Sequence, residues 1–240
     1  MRAAMAERGF GIEGVQRLPG NVGYLNLRGF FPTAFAAPSI SSAMTLLGGT
    51  SALIVDLRGN GGGEPQTVAY LLSHLFAEGD ERHLNDIYNR LDGSTRSYWT
   101  VSSVGQRYTK PVYVLTGPKT FSGGEEFAYD IKTQKRGTLV GEVTGGGANP
   151  GEYVPLARGF IAFVPTGRSI NPLTKTNWEH VGVTPDMAAP AAEAMRVAYV
   201  SAVTALAAAA TDDEERKELT DMTVRAERGE VELPGNPSRG

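Results

Sequence analysis

Cysteine is missing from all 240 residues, which excludes disulfides and thiolate metal sites and leaves the fold to be held by packing. Histidine is almost missing too. Only His74, His83 and His180 are present to serve as side-chain bases titrating near neutral pH. No apolar run reaches the length of a bilayer-spanning helix. The most apolar tract, Val197 to Ala210, is alanine-rich and bounded by Arg196 and Asp212, too short and too weakly hydrophobic to span. Residues 1–9 lack the apolar core of a signal peptide, so with Met1 as the true start a cytoplasmic protein is expected. Charge of neither sign is concentrated. The net charge is -3 with lysines and arginines scattered, so no basic patch points to nucleic acid. The partner classes left are a peptide or an apolar small molecule.

What is present suffices for one large domain, since 41% of the residues are hydrophobic and the length allows a substantial core. Residues 1–14 read as a short helical lead-in ended by glycines. Val15–Leu18 and Val22–Leu27, around a Pro19-Gly20-Asn21 turn, predict a hairpin. A helix follows over 34–48 with Ala43, Met44, Leu46 and Leu47 inward. The unbroken apolar run 51–57 has the composition of a strand covered on both faces, and a helix from about Pro65 to Phe76 comes after it. Residues 77–110, with Tyr88, Tyr98 and Trp99, predict a long hairpin or excursion able to wall a pocket. Short strands are expected at 138–143, 152–156 and 159–165, then a helix over 190–210. Strands alternating with helices predict an α/β domain over 15–210. Residues 211–240 form a charged helix and a disordered tail from Pro234; that helix offers a surface for homo-oligomerisation.

Two glycine-rich turns stand out. Val112–Thr116 reads as a buried strand, and Phe127, Ala128 and Ile131 after it fall at helical spacing. Lys119-Thr120-Phe121-Ser122-Gly123-Gly124-Glu125 between them sets Ser122 on a strand-turn-helix, where a hydroxyl is exposed beside free backbone amides. Ser122 with Glu125 is equally the spacing of a capping box, so cap and nucleophile stand side by side. The other turn, Arg58-Gly59-Asn60-Gly61-Gly62-Gly63, lacks the third glycine of a dinucleotide fingerprint and the Gly-Lys-Ser/Thr end of a Walker loop. No cofactor or metal is expected. Its bare amides suit a ligand oxygen, as an oxyanion hole requires.

In order along the chain, Leu18-Pro19-Gly20-Asn21-Val22-Gly23-Tyr24, Ile54–Gly63, Thr120–Phe127 and Leu139–Gly147 resemble the peptidase family of the C-terminal processing (tail-specific) proteases, tricorn core protease and interphotoreceptor retinoid-binding protein. Val164–Arg168, Thr176–Glu179 and Gly182–Asp186 are similar to the retinoid-binding-like branch. The resemblance covers about Gly20 to Asp186. It implies a spiral of ββα units related to the crotonase and Clp-type fold, and a serine hydrolase with Ser122 as nucleophile. The oxyanion hole would fall on Gly123 N–H and an N–H of the Gly61–Gly63 loop, Gly62 or Gly63.

The departures concern the base. Where Ser-Lys members carry lysine this chain has Gly147, and where retinoid-binding-like relatives often carry histidine it has Asn149. The tricorn-like branch draws its histidine from an upstream domain not contained in this chain. Glu179 matches that branch's glutamate, and His180, beside Trp178, is the remaining candidate base. His74 and His83 read as packing residues. The alternative is a repurposed member that binds an apolar small molecule or performs a non-hydrolytic cyclase- or lyase-type step. A third reading is a binding or scaffold protein in which Ser122 only caps a helix.

Overall fold

The computed structural model describes residues 2–235; the part of the expected tail at 236–240 lies outside them. Helix α1 (Arg2–Glu7) leads into the antiparallel pair β1 (Ile12–Leu18) and β2 (Val22–Leu27), then α2 (Thr33–Leu47), β3 (Ala52–Asp56) and α3 (Pro65–Ser73). A hairpin, β4 (His83–Asn89) and β5 (Thr95–Trp99), precedes β6 (Val112–Thr116), α4 (Gly123–Thr133) and β7 (Thr138–Gly141). A second hairpin, β8 (Gly151–Pro155) and β9 (Ile161–Pro165), leads to β10 (Gly167–Ile170), β11 (Met187–Ala188), α5 (Ala194–Ala209) and α6 (Asp213–Glu227).

The main sheet runs β1-β2-β3-β6-β7-β11, parallel from β2 onward. Its central strands β3 and β6 are buried at every position because both faces are covered. Leu53 and Val55 of β3 and Val112 and Val114 of β6 face a core with α2, α3 and α4. Ala52 and Ile54 of β3, with Tyr113 and Leu115 of β6, alternate to the opposite face against α5 and α6. Period-two alternation along strands buried on both faces thus builds two cores. The α/β class expected from the sequence is the observed one.

Local differences have simple causes. Leu46 is 67% exposed; α2 buries Ala36, Ile40, Ala43, Met44 and Leu47, and position 46 lies about 100° from that stripe. Helix α3 stops at Ser73, three residues short of the expectation, and α5 begins at Ala194. The 77–110 excursion does not wall the cleft described below. It pairs with β10 in a three-stranded sheet, Tyr98 is buried in the core, and Trp99 stacks on His83 with ring centroids 4.3 Å apart. Leu233 is buried against the second core, so the chain just before Pro234 is anchored.

Helix α4 buries two acids one turn apart, Glu126 and Asp130. Asp130 Oδ1 accepts from Asn171 Nδ2 at 3.2 Å, while Glu126 Oε1 and Asp130 Oδ2 have no partner. Burial, the main cause, pushes Glu126 up to about 7, the neighbouring Asn85 amide opposing it weakly. Burial and then the charge of Glu126 push Asp130 up as well. A carboxyl whose folded pKa exceeds its unfolded value binds its proton more tightly in the native state, so stability is highest below the unfolded value and falls as pH rises to the folded one. The window for Glu126 runs from 4.5 to about 7. Glu126→Gln should therefore match the wild type in thermal denaturation at pH 4 and exceed it at pH 8, by on the order of 3 kcal/mol. An equal effect at both pH values would refute the assignment.

Candidate active site

Three loops meet at the carboxyl ends of adjacent parallel strands, the edge where open α/β sheets place their ligands. They follow β3, β6 and β7. The first is fixed by Asp56, which accepts from Tyr24 Oη at 2.8 Å and from Arg58 Nη2 at 2.7 Å. Burial alone would raise the Asp56 pKa; the hydrogen bonds and charge of Arg58 bring it below the usual carboxylate value. Arg58 Nη1 also donates to Ala191 O at 2.8 Å. The first and second loops are tied together by Thr120 Oγ1 donating to Leu57 O at 2.7 Å and Phe121 N to Asn60 O at 2.9 Å.

Ser122 ends the second loop at φ 52, ψ −120. Non-glycine residues avoid positive φ, and holding one there costs on the order of 1–3 kcal/mol. The capping box with Glu125 is formed. An N-cap serine is ordinarily extended, however, so capping does not require this strain. A sharp strand-to-helix turn that leaves a side chain standing above the end of a parallel sheet does.

Glycines let the first loop close on this turn. A Cβ on Gly62, at φ 97, would stand 2.7 Å from Ser122 Cβ and 2.8 Å from Gly123 N. One on Gly123 would stand 3.1 Å from Gly63 N. The two candidate loop amides then part company. Gly62 N donates to Asn60 Oδ1 at 2.8 Å, which removes it as an oxyanion donor. The N–H groups of Gly63 and Gly123 have no acceptor among the described residues.

Glu125 joins the third loop. Fully buried, its carboxylate accepts from Ser122 N at 2.9 Å, Thr144 Oγ1 at 2.5 Å, Gly146 N at 2.6 Å and Gly147 N at 2.8 Å. The capping box identified only the first of these bonds. A run of glycine amides with no strand partner of its own was the available sign of a buried acceptor nearby. Phe121 was likewise missed: a Cβ on Gly147 would lie 2.1 Å from Phe121 Cζ, so the ring occupies the space a side chain at 147 would enter.

The expected base is not found at the serine. Among the described residues no side chain is hydrogen-bonded to Ser122 Oγ. The Glu179 carboxylate accepts from Ala148 N at 2.7 Å and Asn149 N at 2.9 Å, organising the chain beyond Gly147. His180 corrects the expectation that it lines the site. Its backbone sits at φ 64 with its N–H donating to Gly146 O at 2.9 Å, and its side chain is 89% exposed, 3.7 Å from Glu179. His74 is buried with Nδ1 2.6 Å from Gln106 O, its pKa lowered by burial. His83 pairs with Asp86 at 2.8 Å. A cleft of about 760 Å³ opens beside Gly61 and Gly62, lined also by Glu13, Arg28 and Phe31.

Two expectations test this geometry. Glu125→Gln replaces acceptor lone pairs with donors facing donors, and at least one buried N–H loses its partner, so urea denaturation should show a loss of about 2–4 kcal/mol. A loss under about 0.5 kcal/mol would refute the clamp. Gly147→Lys must push aside the Phe121 ring, which is 46% exposed and free to swing out, so it should cost no more than about 1 kcal/mol, and Phe121→Ala in the same chain should remove that cost; a larger loss, or one unchanged in the Phe121→Ala background, would refute the overlap.

Residues 21–189 match the family model described as peptidase family S41. Over 172 residues the chain is 29% identical to the chloroplastic C-terminal processing peptidase of Tetradesmus obliquus, covering 69% of this chain and 34% of that protein. It thus spans about a third of the curated relative's length. Among solved structures, the photosystem II D1 C-terminal processing protease superposes with a TM-score of 0.55 at 26% identity, covering 72% of this chain and 44% of that one. Mature CPAF, solved with lactacystin, shares the fold at a TM-score of 0.60 and 15% identity, over 86% of this chain and 51% of its own. With Ser122 on the sharp turn and the glycine loops closed around it, the chain belongs to the tail-specific serine peptidases, peptidase family S41.

Proposed function

We propose that the chain performs acyl transfer on peptide substrates through Ser122. The observation that carries this reading is the strained φ 52, ψ −120 conformation of Ser122, held beside two amides without acceptors, those of Gly63 and Gly123. Ser122 Oγ attacks the scissile carbonyl carbon, and the carbonyl oxygen takes the negative charge against the two N–H groups. The C–N bond then breaks, the amine leaves with a proton, and water cleaves the resulting ester. Losing one such donor in a serine protease costs about 100- to 1,000-fold in kcat, so two fixed amides are a large part of a hydrolase's catalytic power.

The serine's proton needs an acceptor, and none of the three histidines is bonded to Ser122 Oγ. In this reading the base arrives from a further polypeptide segment. That no base is bonded to Ser122 Oγ among the described residues, and the Phe121 ring over Gly147, favour a second reading: a repurposed pocket that binds an apolar small molecule or performs a non-hydrolytic cyclase- or lyase-type step.

A fluorophosphonate probe separates the two. Acyl-transfer chemistry predicts covalent labelling at Ser122, none in Ser122→Ala, and acceleration by added imidazole, which supplies a diffusible base. Folded protein that stays unlabelled at every imidazole concentration would overturn the hydrolase reading and leave the repurposed one.

A further inference from the structure

Arg28 stands where two cavities meet. One is the cleft of about 760 Å³ beside Gly61 and Gly62. The other, of about 420 Å³, is lined by Asn26, Arg58, Pro118 and Lys119, and Arg28 and Gly59 line both. The guanidinium is held in place, since Glu13 accepts from Arg28 Nε at 2.5 Å and from Asn26 Nδ2 at 2.9 Å. Gly59 makes room for it: a Cβ at 59 would stand 1.7 Å from Arg28 Nη1. The φ of Gly59 is not positive, so its backbone does not call for glycine, and the missing side chain is what lets the guanidinium lie across the loop.

Charge in the smaller cavity is unbalanced. Arg58 is engaged by Asp56 and Ala191 O, so its charge and that of Asp56 cancel. Glu13 lines only the larger cleft. Neither Nη of Arg28 nor Nζ of Lys119 has an acceptor among the described residues. Two uncompensated cations therefore line one cavity, Arg28 just past the end of β2 and Lys119 on the second loop, three residues before Ser122.

We propose that Arg28 and Lys119 form a subsite for an acidic side chain, aspartate or glutamate, of the peptide whose carbonyl Ser122 attacks; this rests on the peptide acyl-transfer reading above. A guanidinium fixed through Nε presents its other two nitrogens as a preset fork, the geometry that pairs bidentately with a carboxylate. Lys119 adds a second positive charge. The first loop carries both Gly59 and Gly63, and the second both Lys119 and Ser122, so the acid is recognised close to the scissile bond. Cavity on both sides of Arg28 leaves room for the peptide to run on past the fork, which makes the group met there a side chain and not a free chain end.

Calorimetric titration of Ser122→Ala, which keeps the cavities and lacks the nucleophile, tests this. The probes are end-blocked alanine hexapeptides with one glutamate walked along the sequence, their glutamine counterparts, and the all-alanine hexapeptide with a free carboxyl end. At one position glutamate should bind at least about 10-fold more tightly than glutamine, and the preference should shrink at high salt. In the same background Arg28→Gln should abolish the preference, Arg28→Lys should recover only part of it because an ammonium has no fork, and Gly59→Ala should reduce it by displacing the guanidinium, each with the parent's circular dichroism spectrum. Equal binding of every glutamate and glutamine pair would overturn the subsite, as would a preference that survives Arg28→Gln, or a free carboxyl end that binds more tightly than any internal glutamate. Fluorophosphonate labelling of the wild type reports on the acyl-transfer reading separately. A labelled protein with no glutamate preference loses the subsite alone; an unlabelled one that still prefers glutamate keeps the subsite and loses the acyl transfer.

Discussion

The Glu125 carboxylate is the interaction on which the site depends. It takes four hydrogen bonds in a dry interior, where each is stronger than in water and where an unpaired charge would be intolerable. Hydrogen bonds to a charged group contribute about 1.5–3 kcal/mol apiece, enough together to offset both the burial of the charge and the strain stored at Ser122. Because the bonds reach two separate loops, the start of α4 and the run 144–147 are fixed to one another. The seat of the Phe121 ring on Gly147 follows from that fixed distance.

The clamp works because the fold delivers its parts to one edge. β3, β6 and β7 are neighbours and parallel, so their three following loops emerge together. The first closes on the second because Gly62, Gly63 and Gly123 carry no side chains. Asn60 decides which amide is available, since its Oδ1 takes Gly62 N–H while its Nδ2 is anchored on Leu27 O. The far side of the sheet, packed by α5 and α6, bears on stability and not on this geometry.

Much of this was legible in the sequence where the cause is local. The alternating cores follow from the apolar runs at 51–57 and 112–116, and Ser122 was found because a strand, a glycine turn and a helix succeed one another there. What could not be read were contacts across long sequence separations. Glu125 looked like a cap because its first partner is three residues away, while the partners that define it lie 19 to 22 residues on. Gly62 and Gly63 look alike in sequence, and only the reach of Asn60 separates them. His180 follows the expected glutamate, but positive φ at 180 and 182 lays the backbone on Gly146 and turns the ring outward.

The ends of the main sheet have a consequence for how this protein meets others like it. At one end β11 is two residues long, too short to template a stranger's strand. At the other, β1 carries an irregularity between Ile12 and Gly14 and the charges of Glu13 and Arg17, features that discourage edge-to-edge pairing. Chains crowded together, as during synthesis or at high concentration, are thereby denied the route of sheet growth through the domain body.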